Sequence, residues 1–177
     1  MKLQYEETME ENYQFEFDID EAVRRYADMV YRLALLNMKN HTDAEDVFQE
    51  VFLKLFRYQK SIQSEEHLKA WLLRVTINQC KTMATSAWKR HNVACDMTGF
   101  VDQPEKKEEY TEVYRTVKSL PEKYRQVIHL FYYEELSIKE ISEILGTKEA
   151  TVKTRLVRAR KLLNQKLKGG VCFDERI

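Results

Sequence analysis

From Asp20 to about His91, apolar side chains return every three or four positions along the chain. The same happens from Thr111 to about Lys168. That period belongs to amphipathic helices, not to strands. The intervening stretch, NVACDMTGFVDQPEKKEEY, loses the period and holds a proline, a glycine and a charge run, which read as a linker. Gly169 and Gly170 stop the second helical segment. The expected fold is all-α: two small helical domains joined by a flexible linker. Its divisions are an acidic N-terminal segment 1–19, a domain 20–91, a linker 92–110, a domain 111–168 and a tail 169–177.

Within the second domain, Ser137 followed by Glu140 spells a capping box, so a helix begins there. Ile138, Ile141 and Leu145 form its inner stripe, and Gly146 allows a tight turn. Thr147 is then expected to cap a further helix. At about 100° per residue, Val152, Leu156, Ala159 and Leu163 share one arc of that helix. The opposite arc carries Ala150, Thr154, Val157 and Lys161, flanked by Lys153 and Arg158, with Arg155 and Arg160 at the margins. Two helices, a glycine turn and a basic outward face predict a helix-turn-helix whose second helix enters a DNA major groove. Lys153, Thr154 and Arg158 are placed to reach base edges; Lys148, Arg155, Arg160 and Lys161 suit phosphates. Upstream, Pro121 opens a helix whose Val127, Ile128, Leu130 and Phe131 read as core.

In the first domain, Thr42 and Glu45 spell another capping box, opening DAEDVFQEVFLKLFR. Val47, Phe48, Val51, Phe52 and Leu55 share its inner face. The outer face shows Asp46, Gln49, Glu50, Leu53 and Arg57. An outward leucine ringed by polar groups fits a protein interface, and a single scattered surface leucine is equally ordinary. On the next helix Leu68, Leu72 and Val75 face inward, while Arg74, Asn78, Lys81 and Thr85 line the outside with Trp71 beside them. Cations, an amide and an aromatic ring suit unpaired bases, though Trp71 also fits a core position. Trp88, Lys89 and Arg90 end the strip.

Charge sharpens this division. The chain has 177 residues and net charge zero, but the signs are segregated. Residues 1–20 hold one Lys against seven acids; residues 71–92 hold four basic groups and no acid; residues 148–168 hold eight basic groups and one acid. Two basic patches in a neutral chain point to two nucleic-acid contacts. Cys80, Cys95 and Cys172 are widely spaced with no CxxC, and His41, His67, His91 and His129 are scattered. No metal site, disulfide framework, cofactor motif or nucleophile pattern emerges, so the chain is not expected to be an enzyme. No apolar run spans a bilayer and the first residues lack a signal-peptide pattern, so a cytoplasmic protein is expected.

DAEDVFQEVFLKLF, then AWLLRVTINQCK, then SLPEKYRQVIHLFYYEELSIKEISEILGTKEATVKTRLVRARKLL resemble, in that order, a bacterial sigma factor of the extracytoplasmic-function (ECF) group of the sigma-70 family. The resemblance implies a specificity subunit that binds core RNA polymerase and promoter DNA. It assigns Asp46, Gln49, Glu50 and Leu53 to the clamp helices of the largest subunit, with the flap as a further contact. It assigns Trp71, Arg74, Asn78 and Lys81, with the loop Tyr58–His67, to the melted minus-10 element. The minus-35 element falls to Lys148, Lys153, Thr154, Arg155, Val157, Arg158 and Lys161. It also implies an anti-sigma factor as partner, often membrane-held, without insertion of this chain itself. The alternative is a stand-alone helix-turn-helix regulator, which would need a ligand pocket, receiver or dimer interface in residues 20–91.

Overall fold

The computed structural model describes residues 17–93 and 112–167, the last seven of the first span as helix backbone only. All regular structure among the described residues is helical. The expected tail, most of the acidic N-terminal segment and the expected linker lie outside them, apart from Asn92 and Val93, which continue a helix.

Three helices make the first unit: α1 (Ile19–Asn37), α2 (His41–Tyr58) and α3 (Glu65–Val93). Their facing stripes meet in one core of Ala22, Tyr26, Val30, Ala34, Val47, Val51, Leu55, Leu68 and Leu72. The N-terminus of α1 is capped by the Asp18 carboxylate, which accepts from the Asp20 amide at 2.9 Å. The start of α2 differs from the sequence expectation. Asn40 is the N-cap, accepting from the Asp43 amide at 2.7 Å, and Thr42 already lies inside the helix. The Asn40–Asp43 pair sits two residues upstream of the Thr42–Glu45 pattern and captures the same orphan amides first.

Four helices make the second unit: α4 (Glu112–Lys118), α5 (Glu122–Ile128), α6 (Ile138–Leu145) and α7 (Glu149–Lys166). A π-helical turn, His129–Tyr133, prolongs α5. Within it the Glu134 amide donates to the His129 carbonyl at 3.2 Å, and Glu135 takes a positive φ of 56°. This wide turn was not legible in the sequence. The Ser137–Glu140 capping box forms as expected. Gly146 adopts φ +60° and closes α6. The Thr147 amide completes that closure by donating to the Ser142 carbonyl at 3.0 Å, so α7 starts one residue later, with Lys148 at its N-cap and no side-chain cap. Thr147 is therefore not the cap.

Val152, Leu156, Ala159 and Leu163 are fully buried, as their arc requires. Val127, Ile128, Leu130 and Ile141 join them, while Phe131, Ile138 and Leu145 are only half-buried at the edge. This second core does not close on itself. Leu33 and Leu36 of α1 and Leu73 and Ile77 of α3 belong to it, so the two units share apolar contacts across α3.

Burial also governs the one described cysteine. Cys80 is buried, and desolvation, with Glu122 nearby, pushes its thiol up to about 12. Its thiolate is negligible at neutral pH, so alkylation at pH 8 leaves Cys80 unmodified until denaturant is added, as peptide mass spectrometry reads out. For the α2 cap, Asn40→Ala should lower unfolding free energy by about 1 kcal/mol. Thr42→Ala should change it by less than about 0.5 kcal/mol, as for other surface sites. Denaturant melts of the two variants check this, and the reverse ranking would reinstate Thr42.

Candidate functional site

Three surfaces carry the sequence-expected residues, and the fold keeps them separate. The first is the outer face of α2. Val47, Val51 and Leu55 are buried, which turns Asp46, Gln49 and Leu53 to solvent. Glu50 is half-buried and lies 3.9 Å from Lys54, which also donates to Gln79 of α3 at 2.6 Å. Leu53 is 51% exposed. One helical turn on, Phe56 is 63% exposed, and sequence reasoning did not single it out. Its signal was the i, i+3 spacing to Leu53. Together they form an apolar pair with Asp46, Gln49, Glu50 and Arg57 around it, the make-up of an interface anchor in a polar rim.

The second surface runs along α3. Arg74, Asn78 and Lys81 are exposed and share an arc. Trp71 is half-buried and packs on the core of the first unit, so only part of its ring is available for stacking. Arg74 donates from its guanidinium to the Glu143 carbonyl of α6 at 3.2 Å. The side chains of Trp88, Lys89 and Arg90 lie outside the described residues.

The connection before α3 is held from both ends. Ile62 is buried, the Ser61 hydroxyl donates to the Tyr58 carbonyl at 2.7 Å, and the Gln63 amide donates to His67 Nδ1 at 3.2 Å. Glu65, at the first turn of α3, accepts from the Tyr26 hydroxyl and from Arg25 at 2.7 Å. The Tyr26 hydroxyl, with Arg25, holds the Glu65 carboxyl below its usual range. Burial, and then the Glu65 carboxylate, push the Tyr26 phenol up to about 12. These anchors were not seen in the sequence, because Arg25 and Tyr26 lie some forty residues away from Glu65 in the chain.

The third surface is the outer face of α7. Lys148, Lys153, Thr154, Val157, Arg158 and Lys161 are exposed, and Arg155 and Arg160 are half-exposed. The Thr154 hydroxyl donates back to the Ala150 carbonyl at 2.8 Å. Val157 is 57% exposed in the middle of this cationic face. An apolar spot among cations, on the second helix of a helix-turn-helix, is suited to a thymine methyl flanked by phosphates. Among the described residues, no cluster of metal-ligating side chains occurs, and no helix is long and apolar enough to cross a membrane.

Residues 22–90 match the family described as sigma-70 region 2, and residues 110–163 match sigma-70, region 4. The ECF RNA polymerase sigma factor SigM of Bacillus subtilis is 34% identical over 161 residues, covering 86% of this chain and 97% of SigM. SigV of the same organism is 32% identical over 139 residues, covering 77% of this chain and 83% of SigV. Among solved structures, the sigma factor RpoE in complex with the anti-sigma factor NepR, from Bartonella quintana, superposes with a TM-score of 0.72 at 20% identity. The match covers 87% of this chain and 99% of RpoE, and shows the shared fold. The chain belongs to the sigma-70 family. Within that family it is an ECF sigma factor, a transcription initiation factor that directs RNA polymerase to promoters.

The Glu65 anchor yields a pH prediction. Its folded pKa is depressed, so its contribution to stability is present above the ordinary carboxylate range and is lost as pH falls through the lower folded value. Glu65→Gln should therefore flatten the acid side of the stability–pH curve, with little change in slope near neutrality. Thermal melts between pH 3 and pH 8 give the comparison, and an unchanged acid limb would remove Glu65 from the anchor.

Proposed function

We propose that the outer face of α2 docks on core polymerase, with Leu53 and Phe56 as the apolar anchor and Asp46, Gln49 and Glu50 as the polar rim. The partner surface is the clamp-helix pair of the largest subunit, and the flap engages the C-terminal unit. The strip Trp71, Arg74, Asn78 and Lys81, with the anchored connection before α3, captures the melted minus-10 strand by stacking and charge. The outer face of α7 reads the minus-35 element: Lys153, Thr154, Val157 and Arg158 against base edges, Lys148, Arg155 and Lys161 against phosphates. The chain performs no covalent chemistry in this reading; its binding energy positions polymerase and stabilises open DNA. An anti-sigma factor, as in the Bartonella complex, is the expected inhibitor, and the working location is the cytoplasm.

The observation that carries the reading is the exposure of apolar groups where the fold has no need of them. Leu53 and Phe56 on α2, and Val157 on α7, point away from both cores and sit among polar groups of contrasting charge. An acidic and polar face with an apolar anchor fits a protein partner, and a basic face fits DNA.

Leu53→Asp and Phe56→Asp should each weaken core polymerase binding by about 2 kcal/mol or more, as anchor residues do. Both should leave the melting temperature nearly unchanged, since neither side chain is in a core. Titration of labelled protein with polymerase, beside a thermal melt, separates the two effects; a collapse in stability would mean the face is structural. Lys153→Ala or Arg158→Ala should cost about 1–3 kcal/mol of discrimination at the minus-35 element and relax its selectivity. Equal weakening on every sequence would reassign them to phosphate contacts.

A further inference from the structure

The connection from α2 to α3, residues 59–64, presents Lys60, Ser61 and Gln63 to solvent, with Tyr58 exposed at its head. An aromatic ring, a cation and an amide are groups that stack on, attract and hydrogen-bond an unpaired strand. Such groups discriminate between bases only while their own position is fixed. The backbone is tied at each end. The Ile62 amide donates to the Gln59 carbonyl at 3.1 Å, and the Ile62 side chain is buried in the first core. On the other side, the Gln63 amide donates to His67 Nδ1 at 3.2 Å, and the His67 amide donates to the Ser64 hydroxyl at 3.1 Å. These last two ties bind the connection to the first turn of α3, so it follows that turn.

Two side chains place the turn. Leu68 is buried in the first core, which sets its depth, but apolar packing is non-directional. Glu65 sets its orientation by accepting from the Tyr26 hydroxyl and from Arg25, both on α1. The two bonds are unequal. The Arg25 and Glu65 side chains are 52% and 38% exposed, so water screens their attraction. Tyr26 has its ring in the first core, so its hydroxyl is fixed before it donates to a carboxylate. The phenol is the stronger half of the clasp.

We propose that Tyr26 and Glu65, with Arg25 in support, are positioning residues for minus-10 recognition: they set base discrimination through the connection without touching DNA. The proposal rests on the sigma-factor assignment of this face. It makes α1 part of the minus-10 reader, although α1 carries none of the strip. Loosening the clasp frees the first turn of α3 and the connection to sample other positions, so the correct base loses its fit. Attraction to the phosphate backbone carries no sequence information and stays.

The test uses holoenzyme assembled from core bacterial polymerase and the full chain. The probe is a fork-junction DNA with the duplex minus-35 segment of a promoter that this holoenzyme transcribes and a randomised single strand over the minus-10 segment. Sequencing the bound strands gives the discrimination at each position. Tyr26→Phe keeps the ring in the core and removes only the hydroxyl, and Glu65→Ala removes its acceptor. Each should cut discrimination on the order of tenfold at the same one or two positions, less than the roughly hundredfold that a 1 Å misplacement costs. The double variant should be no worse than the stronger single, as for groups acting through one bond. Glu65→Gln keeps an acceptor for Tyr26 and should restore part of the loss. Arg25→Gln should act at the same positions more weakly, with an unchanged slope of binding against log salt. Asp28→Asn, which breaks an exposed ion pair internal to α1, should leave every position as it was. Clasp variants that melt lower yet keep full discrimination would overturn the proposal, because the clasp would then be structural only. Equal loss on every strand, with a salt slope lowered by about one in Arg25→Gln, would overturn it by making the clasp a phosphate contact. Wild-type holoenzyme that enriches no strand would instead bring down the assignment of the minus-10 face, and the proposal with it.

Discussion

Two adjacent apolar arcs on α3 hold this molecule together. Leu68 and Leu72 point into the first core, and Leu73 and Ile77, one and five residues further on, point into the second. A helix that is apolar over so much of its circumference has to be covered on more than one side. The elements that pack on α3, namely α1, α2 and α6, take their positions from this requirement. Helices α1 and α2 close over one arc, and the helix-turn-helix unit lies against the other. What is left of α3 is a narrow polar strip, Arg74, Asn78 and Lys81, bordered by both cores.

The same constraint links fold to function. The two units meet along α3, the helix that carries the strip proposed for the minus-10 strand. Among the described residues that contact is made of a few apolar side chains, the Lys69–Glu134 ion pair and two cation-to-carbonyl bonds, from Lys69 to Glu134 and from Arg74 to Glu143. Partly exposed pairs contribute little individually because water and side-chain entropy compete with them. Within each unit the packing is different in character: Val47, Val51 and Leu55 in the first and Val152, Leu156, Ala159 and Leu163 in the second are fully buried. Each unit therefore keeps fully buried side chains of its own beside the shared contact. The exposed faces of α2 and α7 sit on those internally packed helices.

Much of this was readable from the chain. The inner arc of α7, its basic outer face, the Ser137–Glu140 box and the outward Leu53 follow from helical period alone, because each helix there has one apolar face. The second apolar arc of α3 was not readable. Leu73 and Ile77 sit beside an arc already assigned to the first core, and periodicity cannot say which neighbour covers a position. The α2 cap went to Asn40 because two capping patterns overlap and the upstream one wins the first amides. The Thr147 amide was consumed in closing α6, so Thr147 could not also cap α7. Arg25 and Tyr26 reach Glu65 only in three dimensions, and the π turn after α5 has no compositional mark.

The claim at the centre of this account is that three separate faces of one chain act together on RNA polymerase and a promoter. Run-off transcription with purified core bacterial polymerase, this protein and fragments of bacterial promoters tests it most directly. Discrete transcripts that require both the polymerase and this chain are expected. Specific binding of the chain alone to duplex DNA, with no polymerase complex and no transcript, would contradict it and describe a stand-alone regulator.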